Sequence, residues 1–267
     1  MFDDAFLITF VARITNTTKQ MRKLITIIGM LLATTSNVFA QGDDFGVWYE
    51  LGAEKKLSPK WSIGVEGEFR TRNNSRTPDR WSAGLSAEYK IIKGLKASAG
   101  YTLLYDNNKE EFDLKSDGLR PNKWTPSYWG VRHRTNVSLS GNVDIGRLNI
   151  ALRERWQYTY RPKAEEKKYD FDNEEWRSVK GKGKNVLRSR LQLSYDIPHW
   201  KFDPTASVEM FNDKSGIAKM RYLVGVDYKY QKKHVFGLTY LYQDVNRDDD
   251  DNEVNSHIIG LSYKYKF

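Results

Sequence analysis

The chain has 267 residues, 43 Lys and Arg against 34 Asp and Glu, a formal net charge of +9 and no cysteine. Without cysteine there is no disulfide framework, thiolate metal site, thiol nucleophile or lipid-modified N-terminal cysteine. Mean hydropathy is negative and no uninterrupted run of about 18 apolar residues exists, which excludes helical spans but not strands apolar at every second position.

Met21-Arg22-Lys23 is a positive start, Leu24 to Leu32 is apolar, and Val38-Phe39-Ala40 is a small-residue site before Gln41. This is the pattern of a secretory signal peptide over 21–40, too short and wrongly flanked for a membrane span. Residues 1–20 read as a mis-assigned start with no element of its own. The exported chain, 41–267, is expected to form one domain. Behind a signal peptide, the basic charge points to lipopolysaccharide, anionic solutes or loop charge rather than nucleic acid.

From Phe45 onward nearly every segment alternates with period two, as strands with two distinct faces do. Phe45–Leu57 places Phe45, Val47, Tyr49, Leu51 and Ala53 together. Trp61–Arg72 sets Trp61, Ile63, Val65 and Phe69 against Ser62, Glu66, Glu68 and Arg70. Trp81–Ile91 and Leu95–Tyr105 repeat the pattern, as do Trp129–Ser140, Leu148–Arg161, Val186–Tyr195, Phe202–Phe211, Lys219–Tyr230, His234–Gln243 and Val254–Phe267. Each is roughly ten residues, enough to cross a bilayer at barrel tilt.

Short turns at Leu57–Lys60, Ile92–Gly94, Gly141–Arg147, Asp196–Lys201 and Gln231–Lys233 alternate with longer polar loops at 106–127, 161–185 and 244–253. Smaller loops fall at 73–79 and 212–218. Aromatics gather at strand ends: Trp81, Trp129, Tyr158, Tyr160 and Tyr242 toward the long loops, and Trp61, Tyr89, Tyr195, Trp200, Tyr228 and Phe267 toward the short turns. Two interfacial girdles and unequal rims predict an all-β fold, an antiparallel transmembrane β-barrel built as an up-and-down meander. Eleven segments are visible, whereas two termini on one side require an even number. About 12 strands are therefore expected, within a range of 10–12.

The final strand places His257, Ile259, Leu261, Tyr263, Tyr265 and Phe267 on one face. It resembles the terminal strand of Gram-negative outer-membrane barrels. The resemblance implies an outer-membrane location, with Tyr263, Tyr265 and Phe267 as the signal read by the barrel assembly machinery.

The polar faces carry the candidate site. Arg132 and Arg134, Arg153 and Arg155, and Arg188 and Arg190 form Arg-x-Arg pairs on three consecutive barrel strands, so all six point inward as one basic wall extended by Lys219 and Arg221. Glu66, Glu68, Glu88 and Glu209 are expected opposite. Two readings follow: a salt-bridged closed lumen, structural or adhesive in role, or a track whose guanidinium forks bind the carboxylates or phosphates of a small anionic solute. In architecture alone the second resembles the Arg-lined lumens of twelve-stranded channels for acidic sugars.

A third reading is a lipid hydrolase resembling outer-membrane phospholipase. His133 and Glu154 fall on the apolar face, and a hairpin through Gly141–Arg147 places them nearly opposite, as a base and its orienting carboxylate would be. That family has Ser two residues after the His; here the position is Thr135, leaving Ser189 as the nearby serine. Catalysis is not expected. Asp248–Asp251, with Asn252 and Glu253, lacks the spaced ligands of a calcium loop and reads as a solvated turn. His199, His234 and His257 are dispersed, so no metal or cofactor is expected. Lys167, Lys168 and Lys180-Gly-Lys-Gly-Lys184 suit lipopolysaccharide phosphates or plain loop charge. Outer-membrane lipid, lipopolysaccharide and the assembly machinery are the expected partners.

The chain also resembles an uncharacterised family of envelope barrels known as a domain of unknown function. The likeness rests on Trp48-Tyr49, Lys60-Trp61, Glu68-Phe69-Arg70, His133-Arg134, Arg153-Glu154-Arg155-Trp156, Leu187-Arg188-Ser189-Arg190 and the Gly237 to Gln243 strand. It implies the barrel and the envelope, and no activity.

Overall fold

The computed structural model describes residues 43–246 and 253–267, apart from His199 and Lys232. The extension 1–20, the signal peptide 21–40, His199 and the run Asp248–Asp251 with Asn252 lie outside the described residues.

Eleven strands close into a barrel. In chain order they are β1 (Asp44–Lys56), β2 (Trp61–Arg72), β3 (Thr77–Ile92), β4 (Leu95–Asn108), β7 (Tyr128–Ile145), β8 (Leu148–Arg161), β11 (Lys182–Tyr195), β12 (Phe202–Asp213), β13 (Gly216–Tyr230), β14 (His234–Val245) and β15 (Ser256–Lys266). Ten neighbouring pairs are antiparallel, and the barrel closes by parallel pairing of β1 with β15, from Asp44↔Ser256 to Glu54↔Lys266. That closure accounts for the odd count. β1 starts at the long-loop rim and runs to the short-turn rim, as β15 does, so no twelfth strand is needed. Barrels of this kind ordinarily have an even number, which makes the parallel seam a departure from the rule.

Burial is inverted relative to a soluble protein. Arg132, Ser138, Gln157, Ser207, Glu209, Arg221 and Gln243 are buried, while Leu51 (65% exposed), Val65, Leu85 (63%), Leu152 and Val224 face outward. An apolar outside around a polar inside is the surface a bilayer stabilises. The girdles are packed ring on ring: Trp61–Tyr89 at 4.8 Å and Phe202–Tyr228 at 4.9 Å near the short turns, Phe69–Trp81 at 4.1 Å and Tyr105–Trp129 at 4.9 Å near the long loops.

Two expectations are corrected. The β7–β8 hairpin turns at Gly146-Arg147 rather than over 141–147, because alternation continues through Val143 and Ile145 and Gly146 adopts the left-handed φ (61°) a two-residue hairpin needs. The loops 106–127 and 161–185 are not plain polar loops. β5 (Glu111–Leu114), β6 (Pro121–Thr125), β9 (Ala164–Asp170) and β10 (Glu175–Val179) form a four-stranded sheet in the order β10-β9-β6-β5. Its register aligns Phe112, Trp124, Tyr169 and Trp176 in one cross-strand row, with Tyr169–Trp176 at 5.3 Å and Trp124–Trp176 at 6.0 Å. Rows of this kind are the unit of sheet stabilisation, and here they tie two loops far apart in sequence.

Candidate functional site

Strands run from one rim to the other, so inward side chains stack in levels down the lumen. At the long-loop end a cavity of about 750 Å³ lies between the mouth and the loop sheet. Trp48, Arg70, Arg80, Asp106 and Arg132 line it from the barrel, and Lys123, Lys168, Asp170 and Arg177 from the sheet. Burial pushes the Asp170 carboxyl up, but hydrogen bonds from Asp172 and Asn173 and the nearby Arg177 guanidinium prevail and hold it below its ordinary value. A smaller cavity of about 110 Å³ is lined by ten cationic side chains and one carboxylate, Glu253.

The cations are held in distinct ways. Asp106 accepts from Arg80 Nε (2.5 Å) and forms an ion pair with Arg132 (3.0 Å), and Glu68 accepts from Arg70 (2.6 Å). Glu209 accepts from both Arg188 Nη2 (3.0 Å) and Arg153 Nη2 (2.7 Å). Two aromatic faces complete the layer. Trp48 receives Arg70 at 3.7 Å and Arg221 at 5.0 Å, and Phe211 receives Arg188 and Arg221 at 4.7 Å each. Such stacking suits arginine, whose planar, weakly hydrated guanidinium keeps its in-plane donors for other partners. Lys219 forms an ion pair with Glu253. Burial pushes the Glu253 carboxyl up, but the charges of Lys219 and Arg221 outweigh it and hold the group far below the usual carboxylate range.

Three arginines have neutral partners alone among the described residues: Arg134 Nε bonds Thr159 (3.2 Å), Arg155 Nε bonds Ser138 (2.9 Å) and Arg190 Nη2 bonds Gln192 (2.6 Å). A fourth, Arg161, lines both cavities and has no bonded side-chain partner among the described residues. Around the smaller cavity the cationic side chains therefore outnumber the carboxylates.

The expected residues are not all where alternation put them. Glu209 is on β12, adjacent to β11, and belongs to the basic wall rather than opposing it. Glu68 stays across from the wall but is bonded to Arg70 on its own strand. Glu88 pairs with Lys96 (3.0 Å) near the short-turn rim, away from the arginine layer. Glu66 has no bonded side-chain partner among the described residues. Sequence reading omitted Trp48, Arg70, Arg80, Asp106, Arg161, Phe211 and Glu253 from the site. Arg80 and Asp106 lie one residue beyond the segments Trp81–Ile91 and Leu95–Tyr105, in strands that extend over Thr77–Ile92 and Leu95–Asn108; the alternation continuing through them is the signal in the sequence.

His133 and Glu154 are not opposite. With the turn at Gly146-Arg147, His133 pairs with Tyr160 and Glu154 with Leu139, a separation of about 20 Å along the strand at ~3.4 Å per residue. His133 Nδ1 lies 2.7 Å from the Tyr101 hydroxyl, and Ser189 Oγ donates to Glu154 (2.7 Å). His234 and His257 likewise meet tyrosine hydroxyls, of Tyr263 (2.9 Å) and Tyr240 (2.7 Å). His133 is thus apart from Ser189 and Glu154, and the three do not form a serine–histidine–carboxylate arrangement.

Among solved structures the chain is similar to the β-domain of the autotransporter BrkA from Bordetella, at 14% identity over 76% of this chain and 79% of that one, with a TM-score of 0.49. It is also similar to the NanC porin (15%, 83% and 98%, TM-score 0.46). A third is the translocator domain of the autotransporter NalP from Neisseria meningitidis (13%, 86% and 92%, TM-score 0.44). No curated protein matches the chain. Residues 45–254 match the family described as "Protein of unknown function (DUF2490)", and the protein belongs to that family.

Proposed function

We propose that this outer-membrane barrel takes a small anionic solute from the long-loop side and binds it at the arginine layer as the step that admits it to the lumen. The observation that carries the reading is the surplus of guanidinium groups. Arg134 and Arg161 line the smaller cavity without a carboxylate partner among the described residues, and ten cations surround that space with one carboxylate. A carboxylate or phosphate there would meet charge-assisted donors already in place, so little reorganisation opposes binding.

The experiment is reconstitution of the barrel in a planar bilayer under a potassium chloride gradient. An anion-selective reversal potential is expected, with citrate blocking the current in wild type and more weakly in Arg134→Ala. Absence of conductance in wild type and in the Arg134→Ala, Arg155→Ala, Arg190→Ala triple variant would refute passage.

The closed, salt-bridged reading is favoured by one observation, the sharing of Glu209 between Arg153 and Arg188. On that reading the Arg153→Ala, Arg188→Ala double variant, which breaks both Glu209 pairs, would have lower stability, and neither wild type nor the triple variant would conduct.

A further inference from the structure

The outward face of the barrel is largely apolar, and in the central half of the strands it carries a carboxylate in one place among the described residues. Glu154 is the seventh of fourteen residues of β8, and Ser189 is the eighth of fourteen on β11. They are register partners, both outward, at the middle of their strands. Leu152 (52% exposed), Trp156 (48%), Leu187 (45%) and Leu191 (48%) surround them on the same face, so the pair sits at lipid depth. A carboxyl group facing hydrocarbon is costly and marks a site with a partner. Ser189 is the one described side chain bonded to Glu154, through Oε2.

We propose that the wall formed by β7, β8 and β11 is the interface between two copies of this chain in the membrane, with Glu154 and Ser189 at its centre. Copies inserted in the same sense are related by an axis along the membrane normal, so residues at one height meet. Glu154 and Ser189 share a height. Among the described residues, no other outward face carries a carboxylate in the central half of its strands. Nor does any described Lys or Arg face outward in the central half of a strand, so the carboxyl has no cation to meet on another face and pairs with its own copy, which makes the contact isologous and the assembly a two-fold dimer. Near that axis the two Glu154 carboxyl groups face each other. A proton held between them, with each Ser189 hydroxyl donating to its own carboxyl, satisfies the oxygens that lipid would leave bare.

The absence of native cysteine makes the test clean. Ser189→Cys and, as control, Leu51→Cys are placed in the otherwise wild-type barrel in phospholipid vesicles and treated with a short bis-maleimide. Leu51 is outward on β1, five strands from β11 one way and five from β8 the other. Covalent dimer is expected from Ser189→Cys and not from Leu51→Cys. In parallel, Glu154→Leu should weaken dimerisation by about tenfold or more, the scale of two membrane-embedded hydrogen bonds, whereas Glu154→Gln, which can self-pair through its carboxamide, should retain it. Heat-modifiable migration on gels reports that each variant is folded. A wild-type barrel that sediments as a monomer in lipid-like detergent and gives no dimer cross-link at position 189 overturns the proposal. Equal cross-linking at 189 and 51 does so as well.

Discussion

Replacing Glu209 by Gln removes the charge on which the centre of the layer depends. Glu209 is 7% exposed and accepts from Arg188 at 3.0 Å through each carboxylate oxygen and from Arg153 at 2.7 Å. The substitution leaves two guanidinium groups facing a neutral amide, beside Arg221, which is itself buried against Phe211. Breaking a buried ion pair by removing one partner costs roughly 3–5 kcal/mol, because the stranded charge keeps its desolvation penalty. Glutamine retains one acceptor, so a loss of about 3 kcal/mol is expected. Equilibrium unfolding of the refolded barrel in vesicles, followed by tryptophan fluorescence, measures it. The Glu209→Leu, Arg188→Leu double variant should be more stable than Glu209→Leu alone, since it removes one of the stranded charges. A loss below about 1 kcal/mol, the range of solvent-screened surface pairs, would refute the reasoning and mean that water fills the lumen at this level.

Trp48→Leu removes the face on which Arg70 and Arg221 stack and should cost about 1–2 kcal/mol in the same assay, while leaving the outward face of β1 unchanged. Gly94→Ala should destabilise by on the order of 1–3 kcal/mol: Gly94 has φ +83°, and an added Cβ would sit 2.7 Å from the Asn142 carbonyl oxygen. Glu253 supplies a pH dependence. Its carboxyl is held far below its ordinary 4.5, so its stabilisation is complete above that value and falls away as pH drops toward the folded-state value. Thermal unfolding should therefore show a constant gap between wild type and Glu253→Gln from about pH 6 to 8 that narrows below pH 4.5; a gap that widens on acidification contradicts the assignment.

Period-two alternation is a local property, set by which way successive side chains leave the backbone. It therefore determined the class of fold, the inward set of arginines, the apolar outer face and the two aromatic girdles without any tertiary knowledge. The boundaries of that legibility are physical. Whether β1 pairs with β15 in parallel, and hence that the barrel has eleven strands, depends on contacts between chain ends more than two hundred residues apart. Register depends on turns and pairing: the β7–β8 turn at Gly146-Arg147 separates His133 from Glu154, and the independent β8–β11 register sets Ser189 beside Glu154. Strand pairing between two loops gave the row Phe112, Trp124, Tyr169 and Trp176, which no single segment announces. The sharpest division lies within the arginines themselves. Their inward direction follows from spacing of two. That Arg188 and Arg153 share Glu209, while Arg134 finds Thr159 alone, was decided by distance across a closed lumen, where charge pairing is a property of the assembled barrel.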